Sequence, residues 1–299
     1  MKQSRIIQGL MRISSLSEEE LYNLIKFDLE NGIYFFDIAD CYDNGNAEAK
    51  LGRVLKAHPE LRPQMFIQTK GAIRSGEKGG YYDFSYEHIK EALEASLTRM
   101  GIEYVDSYLF HRPDIFMDAE EIAKAIDEAF KENKIKHFGV SNCSKEMIKY
   151  LASSLKQKIE YNQIQLGLGH MPLIEECFNF NMSNKEGNSR TEDTYFYMKR
   201  KGIKLQTWSP FLVNFFEGSL FDENKYPDIN RALNEMKDKY HTSKCAIATA
   251  FILMLSKDIT VITGSLNKEH IKECLDGENI TLSKEDWYYL YKSSGRTLP

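Results

Sequence analysis

Four polar residues lie at or just beyond the ends of short apolar runs, and their side chains together could perform acid–base chemistry. Asp37 and Tyr42 belong to the segment FFDIADCY, Lys70 ends MFIQTK and His111 ends VDSYLFH. Because an isolated ion is costly to bury, Asp37 and Lys70 are expected to pair if their runs are adjacent strands. A Lys70 ammonium beside Tyr42 would bring the phenol pKa from about 10 toward neutrality. Such a phenol is a competent general acid, and His111 could donate a hydrogen bond to a substrate carbonyl.

Each of these residues also has an interpretation without chemistry. Asp37 and Lys70 could form a structural ion pair, because such pairs shift pKa values without any catalytic role. Tyr42 is one of 17 tyrosines and could pack in a loop, and His111 could be a structural histidine. A lysine at a strand end could instead form a Schiff base with a carbonyl substrate. None of these side chains supplies a hydride, so a reduction would need a cofactor.

Short apolar runs alternate along the chain with longer helical patterns, and these elements would position the polar residues. Strands are predicted at Ile6 to Leu10, Tyr34 to Ala39, Met65 to Thr69, Val105 to Phe110, His137 to Val140, Tyr161 to Leu166, Lys204 to Trp208 and Thr260 to Ile262. Helices are predicted at Ser17 to Asn31, Ala47 to Lys56, Tyr86 to Met100, Asp118 to Asn133, Lys145 to Ser154, Glu192 to Arg200, Asp228 to Leu255, Lys268 to Cys274 and Ser283 to Ser293. The segment Asp228 to Leu255 is expected to break near His241.

This alternation predicts an α/β protein, a (β/α)8 TIM barrel, formed by one domain over residues 1–299. A doubly wound open sheet is the competing fold, but the glycine-rich phosphate turn that usually accompanies it is missing. Two helix starts carry capping-box spacing, Ser17 with Glu20 and Ser283 with Asp286. In a barrel of this kind the active site lies at the carboxyl ends of the strands, where the polar residues are predicted to lie.

Composition and charge exclude several classes of protein. The 39 basic and 44 acidic residues leave a net charge of -5, which argues against a broad basic surface for nucleic acid. The longest apolar stretch, Cys245 to Leu255, has 11 residues and is too short to span a bilayer. The five cysteines form no C-x-x-C pair, and no group of histidine, cysteine and carboxylate residues has the spacing of metal ligands. These features predict a cytoplasmic protein without a metal, a membrane or a nucleic-acid partner.

Several blocks of the sequence resemble the aldo-keto reductase family. FDIADCY, IQTK and YLFHRPD are similar to the family's catalytic blocks, and GVSN, YNQIQ, WSP and ITGS to its cofactor-binding blocks, in the family's order. The closing segment LSKEDWYYLYKSSGRTLP is similar to the tail of a bacterial oxidoreductase branch. The resemblance covers nearly the whole chain.

The resemblance implies a catalytic tetrad and an NADP(H) site. In the tetrad, Tyr42 would protonate the carbonyl oxygen, Lys70 would lower the Tyr42 pKa, Asp37 would hold Lys70 and His111 would orient the carbonyl. The residues implied to bind the cofactor are Ser141, Asn142 and Gln163 at the carboxamide, Trp208 at the ring face, and Ser209, Pro210, Phe211, Leu212, Gly264 and Ser265 along the phosphates.

The sequence departs from the family pattern after the last strand. Where the family usually has an Arg for the 2′-phosphate and an Asn or Gln for the adenine, this chain has His270 and Cys274. Lys268, with Lys272 as a weaker candidate, could meet the phosphate as a point charge. The loop after Trp208 is also unusually aromatic, with phenylalanines at Phe211, Phe215, Phe216 and Phe221.

The function predicted first is reduction of an aldehyde or ketone to an alcohol by an NADP-dependent oxidoreductase. The alternatives are a non-catalytic, cofactor-binding regulatory subunit of the same fold and a Schiff-base lyase that uses Lys70. Three loops would shape the substrate pocket: Arg74 to Phe84, Arg112 to Asp118 and Phe211 to Lys225. Their aromatic residues predict a small carbonyl substrate with a hydrophobic body, and a monomer is expected.

Overall fold

Eight parallel strands close into a barrel in the computed structural model, which describes residues 4–76, 79–178, 193–213 and 217–296. The barrel strands are β1 Ile6–Gly9, β2 Phe35–Asp37, β3 Phe66–Gly71, β6 Val105–Phe110, β7 Ile135–Ser141, β8 Ile159–Gln165, β9 Lys204–Trp208 and β10 Ile259–Thr263. They follow one another around the barrel in chain order, and β10 lies beside β1. The predicted (β/α)8 fold is confirmed, and an open sheet is excluded.

Helices alternate with the barrel strands, and most begin or end within two residues of their predicted bounds. They are α1 Glu18–Glu30, α2 Asn46–Ala57, α3 Tyr86–Met100, α4 Ala119–Lys131, α5 Lys145–Ala152, α6 Pro172–Phe178, α7 Thr194–Lys201, α8 Pro227–Tyr240, α9 Lys244–Leu253, α10 Lys268–Asp276 and α11 Lys284–Ser293. The predicted break between α8 and α9 is confirmed, because His241 has a left-handed φ of 51°. Glu192, the predicted first residue of α7, lies outside the described residues.

Among the strands and α-helices that the structure describes, one hairpin and one short helix were not predicted. The first is an antiparallel hairpin of β4 Ile73–Gly76 and β5 Gly79–Tyr82, which follows β3 and stands outside the barrel. The second is the short helix α6. The glycines of the hairpin weaken its strand pattern. The seven residues of α6 are too few to show a clear helical period.

The two predicted capping boxes differ in the structure. Ser17 and Glu20 form the complete reciprocal pair at the start of α1. At α11, Ser283 accepts a hydrogen bond from the Asp286 N–H, but its own N–H donates to the Tyr240 hydroxyl. The Asp286 carboxylate accepts from Lys239 and Tyr240 instead, so this residue ties α11 to α8. The second box is therefore only half formed.

The described residues form two compact units. The first, Ile7–Gln163, contains β2 to β7, most of β1 and β8, and helices α1 to α5. Its core includes the rings of Phe84, Phe110 and Phe138, with ring centroids 4.2 Å apart for the first pair and 5.0 Å for the second. Burial of such rings is the main favourable contribution to folding.

The second unit comprises Ser4–Ile6 and the described residues after Gln163. Its centre is α9, which is buried from Cys245 to Leu253, as the apolar stretch predicted. Trp287 of α11 stacks on Phe251 with ring centroids 4.6 Å apart and donates its indole N–H to the Phe251 carbonyl. Among the described residues, no helix is long and apolar enough to cross a membrane. One domain over residues 1–299 stays a prediction.

Candidate active site

Consecutive strands of the first unit place the four candidate catalytic residues at one end of the barrel. Asp37 is the last residue of β2, Lys70 lies near the end of β3, and His111 directly follows β6. The three strands pair in parallel in the order β2, β3, β6, so these residues lie at neighbouring carboxyl ends. Tyr42 opens a 3-10 helix just beyond β2.

Lys70 is the centre of this group. Its buried Nζ donates to Asp37 Oδ2 at 2.9 Å, to the Ile38 carbonyl at 2.6 Å and to the Tyr42 hydroxyl at 3.3 Å. An ammonium has three N–H donors, and these three contacts use them all. The pairing expected between Asp37 and Lys70 is therefore present, and it fixes the ammonium against the phenol.

The opposite oxygen of Asp37 is also satisfied. Oδ1 accepts from the side-chain amides of Gln68 at 2.7 Å and Gln163 at 3.0 Å. A buried carboxylate with every oxygen hydrogen-bonded avoids most of the penalty of losing water. Asp37 therefore holds Lys70 on one side and Gln163, a residue implied to bind the cofactor, on the other.

The pKa shifts of Lys70 and Tyr42 differ in part from expectation. Burial lowers the Lys70 pKa, but the Asp37 carboxylate and Tyr42 outweigh it, so the net pKa is raised and the amine stays charged. Burial raises the Tyr42 pKa above its ordinary value, although Lys70 lowers it. The prediction of a near-neutral phenol pKa is wrong in this structure, because desolvation disfavours the phenolate more than a Lys70 already paired with Asp37 favours it. Tyr42 therefore keeps its proton at neutral pH.

His111 is a neutral imidazole beside Tyr42. Burial, the Lys70 charge and the Arg112 charge all hold its pKa well below the ordinary range. The ring lies nearly perpendicular to the Tyr42 ring at a centroid distance of 5.6 Å, and Nδ1 lies 3.4 Å from Cys41 Sγ. A neutral imidazole carries one N–H, so it can donate a hydrogen bond to a substrate oxygen without changing its charge.

Sequence reasoning missed a second set of polar residues beneath this group. Glu48 is fully buried and bonds Thr69 Oγ1 at 2.5 Å and the Arg99 guanidinium at 2.7 Å. Burial, followed by the charge of Glu48, raises the pKa of Asp40 to about 7. Asp40 and Cys41 belong to the segment FFDIADCY, and the contact of Cys41 with His111 forms only in the tertiary structure.

The three residues implied to bind a carboxamide lie together at the ends of β7 and β8. Ser141 Oγ donates to the Gln163 carbonyl at 2.8 Å, and the Asn142 N–H donates to the same carbonyl at 2.9 Å. Asn142 Nδ2 donates to Ser141 Oγ at 2.8 Å, and the Asn142 backbone has a left-handed φ of 57°. Two side-chain amides and a hydroxyl in this cluster supply the donors and acceptors that an amide ligand requires.

The second unit contains the remaining residues implied to bind the cofactor. Trp208 ends β9 and is half-buried, and Ser209 turns the chain with a φ of 45°. Pro210 is buried, and a Cβ at Gly167 would lie 2.0 Å from its carbonyl oxygen, so only glycine fits there. Phe211 and Leu212 are half-buried in this loop. Phe215 and Phe216 lie outside the described residues.

Beyond β10 the chain forms the start of α10. The Asn267 side chain caps this helix, and Ser265 Oγ lies 3.5 Å from His270 Nδ1. Lys268 and His270 are exposed in the first turn, after Gly264 and Ser265, although Glu269 adds a negative charge. A helix N-terminus with exposed cations suits a phosphate.

Cys274 occupies a different environment from the rest of this segment. It is fully buried, and its Sγ lies 3.4 Å from Sγ of Cys245. Cys274 therefore packs in the core of the second unit, whereas Lys268 and His270 in the first turn of α10 are exposed.

Comparison with known proteins agrees with this architecture. A relative from Agrobacterium fabrum (strain C58 / ATCC 33970), named 6-dehydroglucose reductase, is 32% identical over 96% of this chain and 93% of its own length. A thermostable aldo-keto reductase, Tm1743, solved with the inhibitor epalrestat, superposes with a TM-score of 0.74 at 21% identity, over 97% of this chain and 95% of its own. An aldo/keto reductase from Klebsiella pneumoniae, solved with NADP and acetate, superposes with a TM-score of 0.71 at 18% identity, over 97% of this chain and 91% of its own. The profile of the Aldo/keto reductase family matches residues 5–294, and the chain belongs to that family.

Proposed function

We propose that this chain is an NADP(H)-dependent carbonyl reductase in which Tyr42 is the general acid. The contact that carries the proposal is the 3.3 Å hydrogen bond from Lys70 Nζ to the Tyr42 hydroxyl, with His111 beside the same ring. It lies at the carboxyl ends of the barrel strands, where barrels of this kind perform their chemistry.

Bound NADPH would supply the hydride, and the residues present fit such a cofactor. Ser141, Asn142 and Gln163 offer amide and hydroxyl groups to a carboxamide, and Trp208 offers an aromatic surface for the ring. The cap of α10, with Ser265, Lys268 and His270, would meet the 2′-phosphate, and Ser209 to Leu212 and Gly264 would lie along the diphosphate. The NADP bound to the Klebsiella pneumoniae reductase supports this choice of cofactor.

Tyr42 would hold the transferable proton until the carbonyl oxygen gains negative charge. Its raised pKa keeps the hydroxyl intact at neutral pH. When the proton leaves for the carbonyl oxygen, the resulting phenolate faces the Lys70 ammonium, which Asp37 keeps charged and in place. His111 would donate a hydrogen bond to the same oxygen. Stabilising charge where it develops in the transition state is the largest contribution such a site can make.

The structure disfavours the Schiff-base lyase. A nucleophilic lysine must be neutral, and lysines activated for this chemistry have a lowered pKa. Lys70 has a raised pKa, is paired with Asp37 and has no N–H left for another partner. Borohydride treatment with a carbonyl substrate should therefore leave Lys70 unmodified.

Two exposed aromatic and apolar regions support a substrate with a hydrophobic body. Tyr81 and Tyr82 of the β4–β5 hairpin are 47% and 46% exposed, and Ile115 and Phe116 after β6 are 85% and 89% exposed. They lie in two of the three loops that were predicted to shape the pocket. The relative named 6-dehydroglucose reductase supports an oxidised hexose as a second class of carbonyl to assay. We also propose that the protein is a cytoplasmic monomer. Size-exclusion chromatography tests its oligomeric state.

The decisive experiment is a fluorescence titration of the purified protein with NADPH and NADH, followed by rate measurements on aldehydes, ketones and oxidised sugars. Tighter binding of NADPH with turnover of a carbonyl supports the reductase. Tight cofactor binding without turnover of any carbonyl would favour the regulatory subunit instead.

A further inference from the structure

We propose that Asp40, Cys41 and His111 form a binding site for a thiophilic divalent cation of the zinc class. One ligand atom from each residue, a carboxylate oxygen, the thiol sulfur and a ring nitrogen, lies within 4.8 Å of the other two. Cys41 Sγ and His111 Nδ1 are 3.4 Å apart. Thiolate, imidazole and carboxylate are the three ligand types that zinc takes in proteins.

The sulfur-to-nitrogen distance suits tetrahedral coordination. Zn–S and Zn–N bonds of about 2.3 and 2.0 Å, opened to a tetrahedral angle, separate the two ligand atoms by about 3.5 Å. Cys41 and His111 meet this requirement without moving. An Asp40 carboxylate oxygen lies within 4.8 Å of both atoms, so the Asp40 side chain would complete the triangle by moving closer to them. Three protein ligands leave a fourth position open for water or an anion, as in exchangeable zinc sites.

Backbone hydrogen bonds hold two of the three ligands on the rigid edge of the barrel. The Asp40 N–H donates to the Lys70 carbonyl at 3.0 Å, and the His111 N–H donates to the Gly71 carbonyl at 2.9 Å. Lys70 and Gly71 are adjacent in β3, so the segments that follow β2 and β6 are both tied by their backbones to the strand between them. Ligands supported in this way need little reorganisation to bind a cation.

The surroundings leave the ligand atoms available. Within the described part of the chain, Asp40 Oδ1 is buried and has no hydrogen-bond partner, an arrangement that costs free energy until a ligand arrives. All three residues are half-buried, so each keeps part of its surface in contact with solvent. The nearby Lys70 charge would repel a cation, but Asp37 pairs with it at 2.9 Å. The sulfur ligand selects zinc over magnesium or calcium, which prefer oxygen.

A consequence for activity rests on the proposed function. A cation on Nδ1 would immobilise the His111 ring beside Tyr42 and place a positive charge at the entrance of the site. We therefore expect zinc to inhibit carbonyl reduction reversibly, with activity restored by a chelator.

The test measures binding without cofactor or substrate. The full chain, reduced with a phosphine, is titrated with Zn²⁺ by calorimetry and with Co²⁺ by absorption spectroscopy. We expect one Zn²⁺ per chain at this site, a cobalt–thiolate charge-transfer band, and no binding of Mg²⁺. Cys41→Ser should weaken Zn²⁺ binding at least ~100-fold and abolish the band, because even indirect supporting residues contribute 10–100-fold. Cys177→Ser, which removes an exposed thiol elsewhere, is the matched control and should change neither.

Unchanged Zn²⁺ affinity in Cys41→Ser would overturn the proposal. So would a wild-type protein whose cobalt spectrum lacks the thiolate band, a result that does not depend on any variant folding. Because no turnover enters this measurement, an inactive protein that binds Zn²⁺ would contradict only the reductase. A reductase that binds no Zn²⁺ would contradict only the cation site.

Discussion

Lys70 Nζ lies 2.9 Å from Oδ2 of Asp37, and both side chains are buried at adjacent strand ends. Burial alone would favour a neutral Lys70, but the negative charge of Asp37 keeps the amine protonated. Lys70 therefore contacts Tyr42 as an ammonium. Neither residue can be replaced alone without leaving the other charge unpaired in the interior. The pair therefore contributes to stability and, on the proposed function, to proton delivery.

Tyr42→Phe should keep the ring's packing and remove only the proton donor. The kcat for carbonyl reduction should fall by ~10²-fold or more, while NADPH affinity stays close to that of the wild type. Steady-state rates and a fluorescence titration measure the two effects. Tyr150→Phe removes an exposed hydroxyl from α5, outside the three pocket loops, and is the matched control. A Tyr42→Phe protein that reduces its best aldehyde at the wild-type rate would eliminate the mechanism.

Lys70→Met should lower kcat by a similar factor, and the double variant with Tyr42→Phe should be little worse than either single variant. Both substitutions disable one proton-delivery unit, so their effects do not add. Lys70→Met should also lower the free energy of unfolding by about 3–5 kcal/mol, because Asp37 is left unpaired. Kinetics and denaturant titration of all three variants test this. A structural ion pair without catalysis predicts an unstable Lys70→Met and a fully active Tyr42→Phe.

Lys268→Ala should weaken NADPH binding roughly fivefold, the equivalent of about 1 kcal/mol for an exposed charge pair. NADH lacks the 2′-phosphate, so its affinity should not change. Fluorescence titration of both cofactors gives the comparison, and Lys284→Ala, which removes an exposed lysine of α11, is the control. Equal losses for NADPH and NADH would place the 2′-phosphate elsewhere.

His270→Gln should weaken NADPH binding more than NADH binding, because His270 lies in the first turn of α10, 3.5 Å from Ser265 Oγ, and only NADPH carries the 2′-phosphate. Fluorescence titration of the wild type and the variant with both cofactors measures the difference. Equal losses for NADPH and NADH would remove His270 from the phosphate site.

Asp286→Asn should destabilise the fold at neutral pH by about 1–2 kcal/mol. Burial raises the Asp286 pKa, but hydrogen bonds from Lys239, Tyr240 and Ser283 outweigh it and bring the pKa to about 2, against about 4 in the unfolded chain. A depressed pKa stabilises above the unfolded value, and that stability is lost as the pH falls from about 4 to about 2. Denaturant titrations at pH 7 and near pH 2 should show the two proteins converging. Asp228→Asn, an exposed carboxylate on α8, is the control and should have little effect at either pH.

The barrel and the polar residues at its strand ends could be predicted from residue types and local periodicity. Val105–Phe110 and Lys204–Trp208 were predicted to the residue, because each is a short segment with aromatic and aliphatic residues that favour strands. The break between α8 and α9 at His241 was also predicted from the sequence. The hairpin formed by Ile73–Gly76 and Gly79–Tyr82 was not predicted, because its glycines and exposed residues show no alternation of apolar and polar side chains.

The environment of the site depends on contacts that form only in the folded chain. Cys41 and His111 are 70 residues apart, and the pairing of neighbouring strands brings them to 3.4 Å, so no local spacing could reveal the cluster. Glu48 looked like an ordinary helix residue until its burial was known. The direction of the Tyr42 pKa shift was mispredicted for the same reason, since it depends on how much water the fold removes. Residue types and local periods are written in the sequence, whereas burial and long-range contacts arise only when the chain closes on itself.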